Sequence, residues 1–334
     1  MTETNKRLGW IDTARGLAML AIYHFHTEVY YTGEIVTDYD MYVENALSCF
    51  FFISGYLFYR EGAQFDLRRK LKSILRGIVI PYFIFTAAIA FPKDFVHGYG
   101  VPPTEILLSI LKGQASWFVA ALAVAETAFA LVMALPQKYS RFVLPAVCAA
   151  TYVMAYNIDM GFNPVWNVNS AMVSMIFIYA GYMFHTFEKR IGSRVKWLLL
   201  LLPPFVALKW YEHVNDITLI FNIPETVTSP AIFLVDNLMS CLLITTAARY
   251  LDVSRFIRFV GANSLIWYFL AGGVPMLTTM ALTRLGMPYD GNHMPVFLAM
   301  AIECCITSAA TVIIMRYAPF VVGKKRKTAE KHVK

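Results

Sequence analysis

The chain has 334 residues, of which 58% are hydrophobic and 15% are charged, and its formal net charge is +7. Soluble domains carry about 25% charged residues, so this composition excludes an ordinary soluble protein. The basic residues lie in short connecting segments and at the C-terminal end, which argues against nucleic acid as a partner and is typical of a membrane protein. Apolar runs recur along the chain, and most are long enough to cross a hydrocarbon layer of about 30 Å.

These runs predict an all-α fold, a polytopic transmembrane bundle of about ten helices. The approximate ranges are 10–31, 43–59, 77–92, 117–135, 142–157, 170–187, 197–211, 228–249, 259–282 and 295–317. The run 104–112 is too short to span, so it either lies at the interface or begins the fourth helix. We predict one membrane domain, residues 1–320, and a basic cytoplasmic tail, 321–334, that binds the lipid surface.

Lysine and arginine predict how the bundle is oriented. With the N-terminus in the cytoplasm, 24 of the 29 Lys and Arg residues fall inside and four fall outside, while Arg15 lies within the first helix. Cytoplasmic segments of membrane proteins carry this excess of positive charge. We therefore expect both termini to be cytoplasmic. Asp12 and Arg15 interrupt the first apolar run, so we do not expect a signal peptide there.

Helix 10–31 contains ionisable residues at positions that share one face. Asp12, Arg15 and His26 lie within about 40° of a common line, whereas His24 is about half a turn away. The rise of the helix separates Arg15 from His26 by roughly 16 Å. Charge inside a bilayer is costly and usually faces a functional path, so we expect chemistry at Arg15 and His26, with Asp12 paired to Arg15. For His24 we expect a hydrogen bond to a neighbouring helix.

The second helix and the segment after it contain residues that point to function less strongly than Arg15 and His26 do. Ser54-Gly55 is typical of a close contact between membrane helices, and a nucleophilic role for Ser54 is the less favoured alternative. The segment 60–76 is strongly basic. It either serves orientation only, which its composition favours, or binds a phosphate-rich cytosolic ligand.

Other polar residues occur inside the predicted helices and either line a cavity or hydrogen-bond to a neighbouring helix, the second role being favoured. They are Glu126, Asp236, Asn237 and Glu303. The five cysteines lie in apolar segments without metal-ligand spacing, so we predict neither a disulfide framework nor a metal site.

Five short motifs together resemble those of the acyltransferase-3 family of membrane acyltransferases. They are Asp12-x-x-Arg15-Gly16 followed by His26, Phe50-Phe51-x-x-Ser54-Gly55, Ile80-Pro81-Tyr82, Ser116-Trp117-Phe118 and Gly261-Ala-Asn-Ser264-Leu265-x-x-Tyr268. The resemblance covers nearly the whole chain, and compact O-acetyltransferases of the family share this length. The chain departs from the family at Ala271, where members often have His, and at Arg69-x-x-Lys72, which stands in place of Arg-x-x-Arg.

The resemblance implies an integral membrane O-acyltransferase of a bacterial cell membrane. Its donor would be cytosolic acyl-CoA, with acetyl-CoA as the expected co-substrate and no bound cofactor, and its acceptor a hydroxyl of a cell-surface or lipid-linked glycan. His26 would act as the general base or as a transient acyl carrier. Arg15 would hold the thioester end of the donor. Asp12, Ser54 and Trp117 would support them.

The basic segment would then bind the CoA phosphates through Arg68, Arg69, Lys72 and Arg76. Trp117 and Phe118 are more often anchors at the membrane surface than ligand contacts. Two alternatives stay open. A transporter or flippase for a lipid-linked glycan should have broken helices in both halves of the chain, and only the segment 271–275 offers such a break. The second alternative is that the protein is a non-enzymatic scaffold of a glycan assembly complex.

Overall fold

The computed structural model describes residues 8–59, 65–97, 100–161, 163–191, 195–218, 220–250 and 254–324. All regular secondary structure in these ranges is helical, which confirms the predicted all-α class. The α-helices are α1 (Gly9–Thr32), α2 (Val43–Phe58), α3 (Leu67–Ile74), α4 (Ile80–His97), α5 (Pro103–Leu111), α6 (Trp117–Met133), α7 (Gln137–Asn157), α8 (Val168–Ile191), α9 (Val195–Val214), α10 (Pro230–Tyr250), α11 (Arg255–Ala262), α12 (Ser264–Leu270), α13 (Gly273–Arg284) and α14 (Met294–Tyr317). A π-helical turn, Leu75–Val79, joins α3 to α4.

Several of these helices have the dimensions of membrane spans. In the described part of the chain, four helical segments are long and apolar enough to cross a bilayer: Leu67–Ala90, Val165–Glu188, Pro230–Tyr250 and Met294–Tyr317. The pair α12–α13, bent by 48°, adds a fifth if it is one broken span. The protein therefore has membrane-helix character, while the number of ten spans and the location of the termini stay predictions.

The basic segment 60–76, which lies between two of the predicted membrane helices, is itself partly helical. From Leu67 onward it is helical, and residues 60–64 lie outside the described ranges. The Asp66 side chain accepts a hydrogen bond of 2.9 Å from the backbone N–H of Arg69 and so caps the new helix. An acidic N-cap of this kind stabilises the first turn of a helix.

The single helix predicted over 259–282 is divided into three. Asn263 separates α11 from α12, and Ala271 and Gly272 separate α12 from α13. Glycine lowers the stability of a helix interior by about 1 kcal/mol relative to alanine, so the Gly-Gly doublet is a natural place for the bend. The break expected from the segment 271–275 is thus present.

Helices α1 and α11 approach each other backbone to backbone. A Cβ atom on Gly16 would lie 2.1 Å from the carbonyl oxygen of Ile257, and one on Gly261 would lie 1.7 Å from that of Asp12. Both distances are far below van der Waals contact, so these two positions require glycine. This crossing joins the first sequence motif to the last one.

Helices α2 and α8 have a similar crossing. A Cβ atom on Gly55 would lie 1.8 Å from the carbonyl oxygen of Ile178, and one on Gly181 would lie 1.8 Å from that of Phe52. Small residues at an interface let membrane helices pack closely. The predicted close contact at Gly55 is confirmed.

A buried polar cluster ties α2, α9 and α10 together. Asp236 accepts hydrogen bonds from Asn45 Nδ2 at 2.6 Å and from Lys209 Nζ at 2.9 Å. Lys209 also pairs with Glu212 at 3.1 Å, and Asn45 Nδ2 lies 3.3 Å from Asn237 Oδ1. Asp236 and Asn237 therefore form hydrogen bonds with side chains of neighbouring helices, which is the role that the sequence favoured for them.

Candidate active site

A cavity of about 1440 Å³ lies between α1, α2, α3, α6 and α12. Residues from four of the five sequence motifs line it: Arg15, Phe50, Ser54, Phe118, Ser264, Leu265 and Tyr268. These motifs are far apart in the chain, and the crossing of α1 and α11 brings the first close to the last. The cavity also borders α3, the helix that carries the basic residues.

Arg15 reaches the cavity from the inward face of α1. The same face carries Met19 and Ile22, which are 0% and 3% exposed, and Asp12, which is also buried. Arg15 itself is half-buried, as a side chain on a cavity wall would be. The helical phase inferred from the sequence is therefore correct for this part of α1.

Glu126 lines the cavity from α6 and contacts both α2 and α3. Its Oε1 accepts a hydrogen bond from the hydroxyl of Ser54, and its Oε2 lies 2.8 Å from Lys70 Nζ. Lys70 Nζ also lies 3.7 Å from the centre of the Phe58 ring, a cation–π contact. Ser54 and Lys70 thus engage the two carboxylate oxygens of Glu126, one each. The arrangement favours Ser54 as a positioned hydrogen-bonding group.

Sequence reasoning missed this ion pair. Glu126 is the one acidic residue of α6, so a cationic partner could have been expected from its position in an apolar helix. Lys70 was part of the basic segment, but nothing in the spacing singled it out from its neighbours. The choice of partner depends on how α3 packs against α6, which is tertiary information.

Comparison with known families agrees with the motifs on the cavity wall. The model of the acyltransferase-3 family, described as an acyltransferase domain, matches residues 8–316. The chain belongs to the acyltransferase-3 family. Searches of curated proteins and of solved structures gave no match for this acyltransferase.

The four arginine and lysine residues predicted to bind phosphates differ in their positions. Arg69 lines the cavity of the acyltransferase and is exposed at its rim. Arg68, Lys72 and Arg76 are exposed too, but at intervals of four residues they follow a neighbouring face and are not among the described lining residues. Of the four, Arg69 is therefore the one placed to meet a ligand in this cavity.

His26 does not join Arg15 at the described cavity wall. It is half-buried, and its ring centre lies 5.7 Å from that of Phe25 and 6.4 Å from that of Tyr30. Phe25 packs in turn against Tyr39, at 4.8 Å between ring centres. His26 thus occupies an aromatic environment further along α1.

The remaining predicted residues are placed as follows. A hydrogen bond from His24 to a neighbouring helix was expected; its Nδ1 lies 3.0 Å from the hydroxyl of Tyr42, the residue directly before α2. Trp117 is half-buried and is not among the described lining residues. Phe118 is 4% exposed, lines the cavity and packs against Tyr268 at 5.3 Å between ring centres. The expectation that Phe118 is a surface anchor is therefore wrong.

Proposed function

We propose that this acyltransferase is an O-acetyltransferase of a bacterial cell membrane, with both termini in the cytoplasm. It transfers the acyl group of acetyl-CoA, or of another acyl-CoA, to a hydroxyl of a cell-surface or lipid-linked glycan. The observation that carries the proposal is the convergence of four sequence motifs on one cavity, with Arg15 on its wall and Arg69 at its rim. A cation at the rim can bind the phosphate groups of a CoA ester. A cation on the cavity wall can stabilise the negative charge that develops on the thioester carbonyl oxygen.

The donor occupies the cavity in this proposal. Arg69 contacts the phosphate groups at the rim, and the pantetheine arm runs inward past Ser54. Arg15 places its guanidinium at the thioester carbonyl, where negative charge develops as the acceptor attacks. Losing one such charge-stabilising group typically lowers kcat by about 100-fold to 1000-fold.

The acceptor approaches His26 from the other end of α1. A neutral imidazole is suited to take a hydroxyl proton near pH 7. For this step the thioester carbonyl lies between the two side chains, with the Arg15 guanidinium on one side and the acceptor hydroxyl at His26 on the other. His26 accepts the proton while the new C–O bond forms and the C–S bond of the thioester breaks. CoA leaves as a thiolate and becomes the free thiol by taking up a proton. The positive-inside distribution supports this order, with the donor side cytoplasmic.

The experiment uses purified protein in liposomes, acetyl-CoA labelled in its acetyl group and a glycan acceptor. The wild type should transfer label to the glycan. Arg15→Gln should lower the rate of label transfer about 100-fold or more, because it removes a group that acts in the reaction. His26→Gln should lower the rate by a similar factor for the same reason. His24→Gln is the matched control and should retain most activity, since glutamine can still bond to Tyr42.

Other outcomes would contradict specific parts of the proposal. Movement of glycan across the liposome membrane without transfer of label would contradict acyltransfer and support a transporter. Neither movement nor transfer would support a scaffold. If His24→Gln were inactive and His26→Gln active, the assignment of the base would be wrong.

A further inference from the structure

The inward face of α14 is polar, although the helix is apolar enough to span a bilayer. Its buried residues are Val296, Ala299, Glu303, Thr307 and Thr311. The last three follow one another at intervals of four residues, so they form a stripe along one face. Each of these three is 0% exposed. Polar side chains buried in this way need hydrogen-bond partners, because burying them unpaired costs free energy.

Helix α1 supplies partners for two of the three. Tyr23 and Thr307 share a hydrogen bond of 3.0 Å between their hydroxyl oxygens. Thr27 Oγ1 lies 2.5 Å from Glu303 Oε2. The Trp267 ring packs against that of Tyr23, at 5.0 Å between ring centres. We call the α14 stripe and these neighbours the polar seam: Tyr23, Thr27, Trp267, Glu303, Thr307 and Thr311.

Thr27 determines where the proton of this contact lies. Its hydroxyl oxygen is 2.8 Å from the backbone carbonyl oxygen of Tyr23 as well as 2.5 Å from Glu303 Oε2. A hydroxyl group has one proton to donate, and a carbonyl oxygen can only accept. As drawn from the heavy atoms, the Thr27 hydroxyl would have to share its one proton between both oxygens. Two full hydrogen bonds form when Thr27 donates to Tyr23 and Glu303 donates to Thr27, and in that arrangement Glu303 is a carboxylic acid.

The charge environment agrees with this assignment. Among the described residues, no lysine, arginine or histidine nitrogen forms an ion pair with Glu303. An ionised carboxylate buried without a cation costs far more free energy than a neutral one. The titratable groups around it are the Tyr23 hydroxyl on α1 and the Cys304 thiol on α14, and both are neutral when protonated.

The seam also contains polar atoms that no described protein group satisfies. They are Glu303 Oε1, Trp267 Nε1 and Thr311 Oγ1. Buried polar atoms are nearly always hydrogen-bonded, and a water molecule can serve two to four of them. Donors and acceptors are both represented, so the seam suits water and protons better than an ion of one sign.

We propose that Glu303 is an intramembrane proton-binding site, a neutral carboxylic acid whose proton bridges α14 to α1 through Thr27 in a hydrated polar seam. The proposal stands independently of the acyl-transfer reaction. Thr27 follows His26 in the chain, so loss of this proton would break the bridge next to that residue. The ligand of the site is the proton itself, together with water.

Infrared spectroscopy of the full-length protein in lipid tests the proposal, with Glu303→Gln as the variant because glutamine can still donate to Thr27. The wild-type-minus-variant spectrum at pH 7 should show one carboxylic acid carbonyl band and no carboxylate bands. Thr27→Val should shift that band, since it removes one hydrogen bond. Glu126→Gln is the control, and its difference spectrum should show carboxylate bands, because Lys70 pairs with Glu126. Carboxylate bands for Glu303 would overturn the proposal.

A second measurement needs the wild type only, in case Glu303→Gln does not fold. A hydrophobic carbodiimide adds the O–H of a protonated carboxyl across its C=N bond, and the acyl group then migrates to nitrogen without a leaving group. Mass spectrometry should find this adduct on Glu303 and not on Glu126. An adduct on Glu126 with none on Glu303 would contradict the proposal.

Discussion

Two glutamates buried in apolar helices differ in whether a cationic side chain pairs with them. Glu126 in α6 contacts the hydroxyl of Ser54 and pairs with Lys70 at 2.8 Å, beside a large cavity. Glu303 in α14 contacts the hydroxyl of Thr27 and, among the described residues, has no ion pair. In the sequence each is an isolated acid in an apolar run, so the difference arises from what packs against it. In our proposals, Glu126 lies beside the cavity that binds a charged ligand, and Glu303 binds a proton.

The largest effect should come from breaking the Lys70–Glu126 pair. Lys70→Met leaves a mostly buried carboxylate without its cation, and we expect the free energy of unfolding to fall by about 3–5 kcal/mol. Thermal and chemical unfolding in detergent would measure it. The double variant Lys70→Met/Glu126→Gln should recover most of the loss. If Glu303→Gln destabilised the protein as much as Lys70→Met, the contrast between the two glutamates would be wrong.

Removing the two hydroxyl groups should have smaller and unequal effects. Ser54→Ala deletes a hydrogen bond to a charged acceptor and should lower stability by about 1.5–3 kcal/mol. Thr27→Val deletes a hydrogen bond between neutral groups and should cost about 0.5–1.5 kcal/mol. The same unfolding assay compares them. The reverse order would indicate that Glu303, and not Glu126, carries the charge.

The smallest effect concerns the rim of the cavity. Arg69→Gln should raise the KM for acyl-CoA about tenfold, equivalent to ~1.4 kcal/mol, because it removes one phosphate contact. Arg68→Gln, its matched neighbour outside the cavity, should change KM by less than about twofold, and Thr27→Val should leave it unchanged. Initial rates at several acyl-CoA and salt concentrations would show this. Equal effects of both arginine variants would mean that the basic surface attracts CoA without a defined contact.

The sequence predicted the helical class, the inward face around Arg15 and the close contact at Gly55, because periodicity and small residues are local properties. It also predicted the hydrogen bond of His24. It did not predict that α3 is helical, since the acidic cap at Asp66 was hidden in a strongly basic segment. The partners of Glu126 and Glu303 depend on which helices are neighbours, which no single segment encodes. Phe118 was wrongly predicted to be a surface anchor, because its burial also depends on which helices are its neighbours.

The crossing of α1 and α11 has a consequence for biosynthesis. Gly16 and Gly261 are 245 positions apart (261 minus 16), yet their backbones touch. Chains are made from the N-terminus, so α1, which we predict to be a membrane span, is made with Asp12 and Arg15 long before its partner helix exists. Until α11 arrives, those charges lack their final surroundings, and a bilayer tolerates them poorly. Chains truncated before residue 255 should therefore be prime substrates for membrane quality-control proteases.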